Sequence, residues 1–411
     1  MTASNGALAG IRVVELTTVI LGPWAAQMLG DMGADVIKIE TPAGDIMRQT
    51  GPRRHDGMAA LFLASNRNKR SVVLDLTQPP AHEALLRIIG TADVFVHNLR
   101  PRVAAKLGLD YAQFAQRHPR LIYCATYGFR REGPLADRPA YDDVIQAASG
   151  LCDLLQSTVG QPRFVPTVIS DKTTSYNVVM AVLAALVHRE RGGGGQAIEV
   201  PMFECLVDYV MVEHLYGACF EPPIDQLGYQ RILTPERRPY PTRDGHLAVM
   251  PYTNENWQAV FRLGGRPDLA DDPRFATLRA RVENTPALYA ALAEIVSMHT
   301  TETWQRLLEG AGVAAGPVNT KESLLDNEQL AATGFWRLHD HPTEGRLRMT
   351  DPPIRFDATP SGIRRMPPRL GEHSAEVLAE AGYAPTDIQA LFAVGASRGA
   401  ALPDAAKEAR S

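Results

Sequence analysis

The chain has 411 residues, of which 45% are hydrophobic and 21% charged, and a formal net charge of −4. This is ordinary for a soluble globular protein with ample chain for a core, and it lacks the basic excess of a nucleic-acid binder. Its cysteines, Cys124, Cys152, Cys205 and Cys219, lie far apart with no CxxC pair, which argues for reduced thiols in the cytosol over a disulfide or zinc framework.

The N-terminal segment Met1–Gly10 has no basic stretch leading into an apolar one, so no signal peptide is expected. Ile11–Leu16 then reads as a buried strand, Trp24–Met32 as a helix with Pro23 in its first turn, and Asp35–Glu40 as a strand. Ser71–Leu76 continues as strand, Ala81–Ile89 as helix, Asp93–His97 and Leu121–Tyr127 as strands. Strands alternating with helices predict a parallel sheet covered on both faces. Asp142–Leu155 reads as helix, and Phe164–Ser170 as strand-like. A long helix follows over Asp171–Glu190, with Val178, Val182 and Ala185 on one face. Its longest apolar run, Val178–Val187, is too short for a membrane span, which needs about 20 residues. Ala197–Val200 is a further strand. After Phe220 prolines and arginines thicken, His246–Met250 reads as strand, and amphipathic helices run to Leu330, as in a smaller second domain. A final helix is expected near Ala375–Ala381, and the Ala- and Ser-rich tail 396–411 is expected to be disordered.

Few residues carry chemistry. Asp171 opens the long helix, where either it or Ser170 fits a capping role. A helix N-terminus also favours an ionised carboxylate, and such a carboxylate is a competent nucleophile toward a thioester. Both readings stand at this level. The tetraglycine Gly192–Gly195 lies between helix and strand, opposite to the order of a phosphate loop, and reads as a turn. Arg100, Arg102 and Lys106 follow a strand, where ligands approach an open parallel sheet. Arg231, Arg237, Arg238 and Arg243 form a looser group. His339 and His341 lack metal-ligand spacing, so no metal site is expected, and the absence of a GxSxG elbow argues against a serine hydrolase.

Beyond this, LAGIRVVELTTVILGPWAAQMLGDMGADVIKIE (Leu8–Glu40) resembles the opening of the family III CoA-transferases and the related alpha-methylacyl-CoA racemases. Further motifs follow in the family order: Gly44–Asp45 with Arg48, NRNKRSVVLDL (Asn66–Leu76), ADVFVHNLRP (Ala92–Pro101) and RPAYDDVIQAASG (Arg138–Gly150). Ser170–Asp171, GGGQAIEVPMFECL from Gly193, AAGPVNT (Ala314–Thr320) and LGEHSAEVLAEAG (Leu370–Gly382) complete them. The resemblance spans roughly residues 8–385. It implies an α/β fold: a large domain with a parallel Rossmann-like sheet and a smaller α+β domain, in an open-ring chain interlocked with a second copy as a homodimer. The large domain would comprise 1–220 and 331–395, with 221–330 as the small domain.

The resemblance further implies Asp171 as the catalytic nucleophile. Coenzyme A contacts would come from Val19, Leu74, Asn98, Leu99, Lys106, Tyr141 and Met202, with Arg138 one residue from a basic position of the family. An arginine that some members place after the KIE strand is Thr41 here. The substrates would be an acyl-CoA and a small carboxylic acid, with no further cofactor and no nucleic-acid or membrane partner. A racemase is the rival reading, but that branch has histidine where this chain has Tyr141, a poor base at neutral pH; a CoA-binding protein without turnover is another. The stretch Gly228–Gly245 lacks the glycine-rich loop of the oxalate-specific members, and its arginines suit a succinate-type diacid.

Overall fold

The computed structural model describes residues 6–400. In chain order its main elements are β1 (Arg12–Leu16), α1 (Leu21–Asp31), β2 (Asp35–Glu40), β3 (Lys69–Leu74), α2 (Pro79–Gly90), β4 (Val94–His97), β5 (Ile122–Tyr127), α3 (Asp142–Ala148), α4 (Leu151–Val159), α5 (Ile169–Glu190), β6 (Ala197–Pro201) and α6 (Met202–His214). Then come β7 (Tyr240–Pro241), β8 (His246–Met250), α7 (Asn254–Leu263), α8 (Thr285–Val296), α9 (Thr301–Gly310) and β9 (Ala314–Pro317). The chain closes with β10 (Trp336–His341), β11 (Gly345–Thr350), α10 (Ser374–Glu380), α11 (Pro385–Ala393) and β12 (Ser397–Arg398).

The main sheet has the order β12-β3-β2-β1-β4-β5-β6, parallel throughout except for β12, which pairs antiparallel with β3. Alternation along the strands assigns its faces. Val14, Leu16, Ile37, Ile39, Val72 and Leu74 enter one apolar layer with Leu85 and Ile88 of α2, Leu378 of α10 and Leu391 of α11. Burying each such side chain fully stabilises the fold by about 1.5–3 kcal/mol. On the opposite face Glu15, Lys38, Glu40 and Lys69 are also buried, but in ion pairs.

The described chain divides into two compact units: residues 6–149, 165–207 and 331–400, and residues 150–164 and 208–330. The boundary expected at 220 thus falls at 207, and 150–164, expected in the large domain, belongs to the second unit. The expected helix Asp142–Leu155 is broken for the same reason: Gly150 takes a left-handed turn (φ 87°) that ends α3 and starts α4. Phe164–Ser170 is not a strand; the residues before Ile169 are irregular.

The C-terminus also corrects the reading. A further helix, α11, follows the one expected to be last. Ala396 is buried, and Ser397 and Arg398 pair with Leu74 and Val73, so the disorder expected from 396 does not hold there; residues 401–411 lie outside the described ones.

The second unit has its own antiparallel sheet, β7-β8-β9, and its own core around Trp257, Phe261, Leu292, Trp304 and Leu308. The buried indole of Trp304 donates to Val296 O at 2.7 Å, so its one polar atom is satisfied. Among the described residues no helix is long and apolar enough to cross a membrane.

Candidate active site

In the sheet order, β1 is flanked by β2 on one side and β4 on the other, so the chain's winding reverses between β1 and β4. Open parallel sheets bind ligands in the crevice beyond the carboxyl ends of strands at such a point. Asn98, just after β4, spans it. Its Nδ2 donates to Thr18 O at 3.0 Å, and its Oδ1 accepts the Thr18 N–H at 3.3 Å, joining the loops after the two strands. Val19, next in the β1–α1 loop, has φ 73°, a left-handed conformation unfavourable for a β-branched side chain. Its N–H donates to Asp45 Oδ1 at 3.2 Å. Where α1 starts, a Cβ on Gly22 would lie 2.3 Å from Thr17 Cβ, so this close approach requires glycine.

Asp171 sits in the first turn of α5 and is only 6% exposed. Two devices place it. Ser175 Oγ, one turn on, lies 2.8 Å from Asp171 O and 2.7 Å from Leu21 O and shares its one proton between them, tying the start of α5 to the start of α1. Trp24 of α1 meets Tyr176 of α5 edge to face at 5.2 Å. The second device is Asp142, the first residue of α3, whose Oδ1 accepts the Asp171 N–H at 2.9 Å. Asp142 Oδ2 in turn accepts from Gln146 Nε2 at 2.6 Å, and Gln146 Oε1 accepts the Val165 N–H at 2.9 Å. The capping role offered to Ser170 or Asp171 therefore belongs to neither. The N-cap position is Val168, without a side-chain bond, and an acid from another helix satisfies the Asp171 N–H.

Burial, and then the negative charge of Asp142, push the Asp171 carboxyl up to about 7. The positive end of α5 works in the opposite sense and favours the anion. Such a group is a desolvated carboxylate at the mouth of a sheet crevice, with the chemistry of a nucleophile or a proton carrier.

The other expected residues fall into three sets. Val19, Asn98, Leu99, Tyr141 and Met202 lie at the carboxyl edge or in segments leading from it. Tyr141 is 69% exposed and immediately precedes Asp142, and Met202 is buried at the start of α6. The Leu99 N–H donates to His97 Nδ1 at 3.2 Å. His97 Nε2 lies 2.6 Å from Tyr123 Oη, which itself donates to Leu109 O, so Nε2 carries the ring proton. Burial, aided by the Arg131 charge, pushes this imidazole down to about 3 and keeps it neutral.

Lys106, Arg138, Arg100 and Arg102 form an exposed set at the crevice rim. Arg100 Nη1 donates to Asp137 O at 3.1 Å, and the Arg102 N–H donates to Asp137 Oδ1 at 3.0 Å, which fixes the segment carrying Arg138 beside helix Pro101–Lys106. Leu74 stands apart: it is fully buried in the apolar layer and its backbone pairs with Ser397, so its side chain serves the core.

In the second unit, Arg237, Arg238 and Arg243 are exposed, whereas the Arg231 guanidinium lies 5.5 Å from the Tyr252 ring, in a small cavity with Trp257, Arg281 and Tyr289. Sequence reasoning missed Asp142, Gln146 and Ser175. Asp142 was visible only as half of an Asp-Asp pair in which nothing local separates it from the exposed Asp143.

Comparison with known proteins adds to this geometry. The model of CoA-transferase family III matches residues 8–374. A succinate–glutarate CoA-transferase of Agrobacterium fabrum is 37% identical over 389 residues, covering 91% of this chain and 95% of that one. A crystal structure of Rv3272 from Mycobacterium tuberculosis superposes with a TM-score of 0.80 at 31% identity, over 90% of this chain and 99% of the other. A CAIB/BAIF family protein from Brucella suis gives 0.78 at 33% identity, over 92% and 100%.

Proposed function

The chain belongs to CoA-transferase family III, and from that premise we propose that it moves coenzyme A between dicarboxylic acids of the succinate–glutarate class, with Asp171 carrying the acyl group. The observation that carries the catalytic assignment is Asp171 itself: buried in the first turn of α5, its N–H held by Asp142, and its helix tied through Ser175 to the start of α1 at the crevice. Support for the substrate class comes from relatives, among them the Agrobacterium enzyme and a mouse succinyl-CoA:glutarate CoA-transferase, 30% identical over 378 residues.

The chemistry closes without a net proton or water. An Asp171 oxygen attacks the donor thioester carbonyl, the C–S bond breaks, and a mixed anhydride and CoA thiolate result. The thiolate attacks the aspartyl carbonyl, the donor acid leaves, and Asp171 holds CoA as a thioester. The acceptor carboxylate attacks that thioester, giving a second anhydride and thiolate. The thiolate then takes the new acyl group and restores the Asp171 carboxylate. Water would destroy either anhydride, so a nearly inaccessible carboxylate suits the task.

The test is transfer itself. Incubation with succinyl-CoA and isotopically labelled glutarate is expected to yield labelled glutaryl-CoA by mass. Asp171→Ala is expected to abolish this while CoA still binds, and hydroxylamine trapping during turnover should leave a hydroxamate on the peptide holding Asp171. A tenth or more of wild-type turnover in Asp171→Ala overturns the assignment.

A further inference from the structure

Two motifs, Gly44–Asp45 with Arg48 and Asn66–Leu76, have no part in the chemistry above, yet their side chains meet beneath the β1–α1 loop. Lys38 Nζ lies 3.0 Å from Asp45 Oδ2 and donates to Thr17 O at 2.9 Å. Lys69 Nζ donates to Glu15 Oε1 and to Pro23 O, each at 2.7 Å, and to Asn66 Oδ1 at 2.8 Å. Buried ammonium groups thus hold the loop where it leaves β1, at Thr17, and hold the first turn of α1 that follows it, at Pro23. The middle of the loop is held by Asp45, whose Oδ1 accepts the Val19 N–H at 3.2 Å and the Met47 N–H at 3.0 Å.

Asp45 is itself fixed. Its N–H donates to Glu40 Oε1 at 3.1 Å, and Glu40 receives Arg48 in a two-point pair of 2.8 and 2.7 Å. A left-handed valine persists only where its surroundings over-determine it, and here a buried carboxylate does so.

We propose that Asp45 is a positioning residue of the coenzyme A site: its buried carboxylate, braced by Lys38 and the Glu40–Arg48 pair, clamps the Val19 N–H and holds the β1–α1 loop in the shape that receives CoA before the ligand arrives. This rests on the assignment of that loop to the CoA site. Without the clamp Val19 relaxes to an ordinary backbone conformation, and the cost of re-forming the turn is subtracted from binding. The effect falls on CoA affinity and on KM for acyl-CoA, and much less on kcat at saturation.

The experiment measures CoA affinity by calorimetry and amide exchange in the peptide spanning 17–23, on the full-length chain. Asp45→Ala is expected to weaken CoA by about tenfold or more, the strain of one left-handed residue, and to quicken exchange in that peptide. Asp45→Asn keeps the Oδ1 acceptor and should stay within about threefold of wild type. Adding Val19→Gly to Asp45→Ala should restore most of the affinity, because glycine adopts φ 73° without strain; a merely structural carboxylate gives no such rescue, and its absence overturns the proposal. Unchanged CoA affinity in Asp45→Ala also overturns it. If exchange nonetheless quickens, the fault lies in assigning the loop to CoA; if it does not, the fault lies in the clamp. Wild type alone supplies an arm that needs no variant: the 17–23 peptide should already be protected without CoA, and fast exchange abolished only by CoA overturns the proposal.

Discussion

Asp142 accepts the backbone N–H of Asp171 at 2.9 Å, so one acid caps the start of α5 while the other keeps its own carboxylate unengaged by any donor among the described residues. The same contact places a second negative charge beside that of Asp171. A buried carboxylate with no donor and a like-charged neighbour is a raised, poorly solvated base. This sets the first two predictions.

In the proposed mechanism transfer requires the Asp171 anion, so kcat/KM for succinyl-CoA should rise through pH about 7 as that group ionises in the free enzyme, and level off above it. Asp142→Asn keeps an oxygen acceptor for the Asp171 N–H but removes the repelling charge. Its acid limb should move to lower pH, with burial still holding it above the ordinary carboxylate value. Rates measured from pH 5 to 9 decide this, and superimposable limbs for the two proteins would contradict the coupling.

The raised carboxyl is also a stability statement. The folded state holds the Asp171 proton up to about 7 and the unfolded chain only to about 3.8, so stability falls as pH rises between these values, and the penalty is complete above 7. The gap corresponds to at most on the order of 4 kcal/mol. Asp171→Asn should therefore melt several degrees above wild type at pH 8, with the difference shrinking toward pH 4. Equal melting temperatures at pH 8 would count against a desolvated anion there.

Glu40 behaves in the opposite sense. Burial opposes its ionisation, but the Arg48 guanidinium overrides it and holds the carboxyl at about 2. Its contribution is present above the ordinary glutamate range and lost as pH falls toward 2. Glu40→Gln leaves Arg48 buried without an anion, and should cost about 3–5 kcal/mol at pH 7. Urea unfolding of the two proteins at pH 7 checks this; a cost under 1 kcal/mol would mean the pair is not the brace described above.

Substrate class is tested by comparing succinyl-CoA with butyryl-CoA, which has the same chain length but no terminal carboxylate. A site that pairs the second charge should prefer the diacid in kcat/KM by about tenfold or more. Equal or better use of butyryl-CoA would move the acceptor class to monocarboxylates.

The local pattern of the chain was enough for most strands of its main sheet and to mark Asp171 as a candidate carboxylate, with a capping role equally open. Asp35–Glu40 and His246–Met250 form strands with the bounds read from their side chains, because alternation and β-branching are properties of the segment itself. Asp171 was marked by its type and by its place at a helix start. Tertiary structure decided the rest. Strand β3 begins at Lys69, two residues before the expected start, because Lys69 is buried against Glu15, 54 residues away. Asp142 and Asp143 are the same residue to any local reading; only the packing of α3 buries the first, beside an amide 29 positions on. Ser397 and Arg398 form a strand because β3 supplies their partners, and Val19 holds its left-handed turn because Asp45 reaches it. Apolar burial is written into a segment by its own period, whereas a buried charge or a strained turn is stable only with a partner that the chain brings from elsewhere.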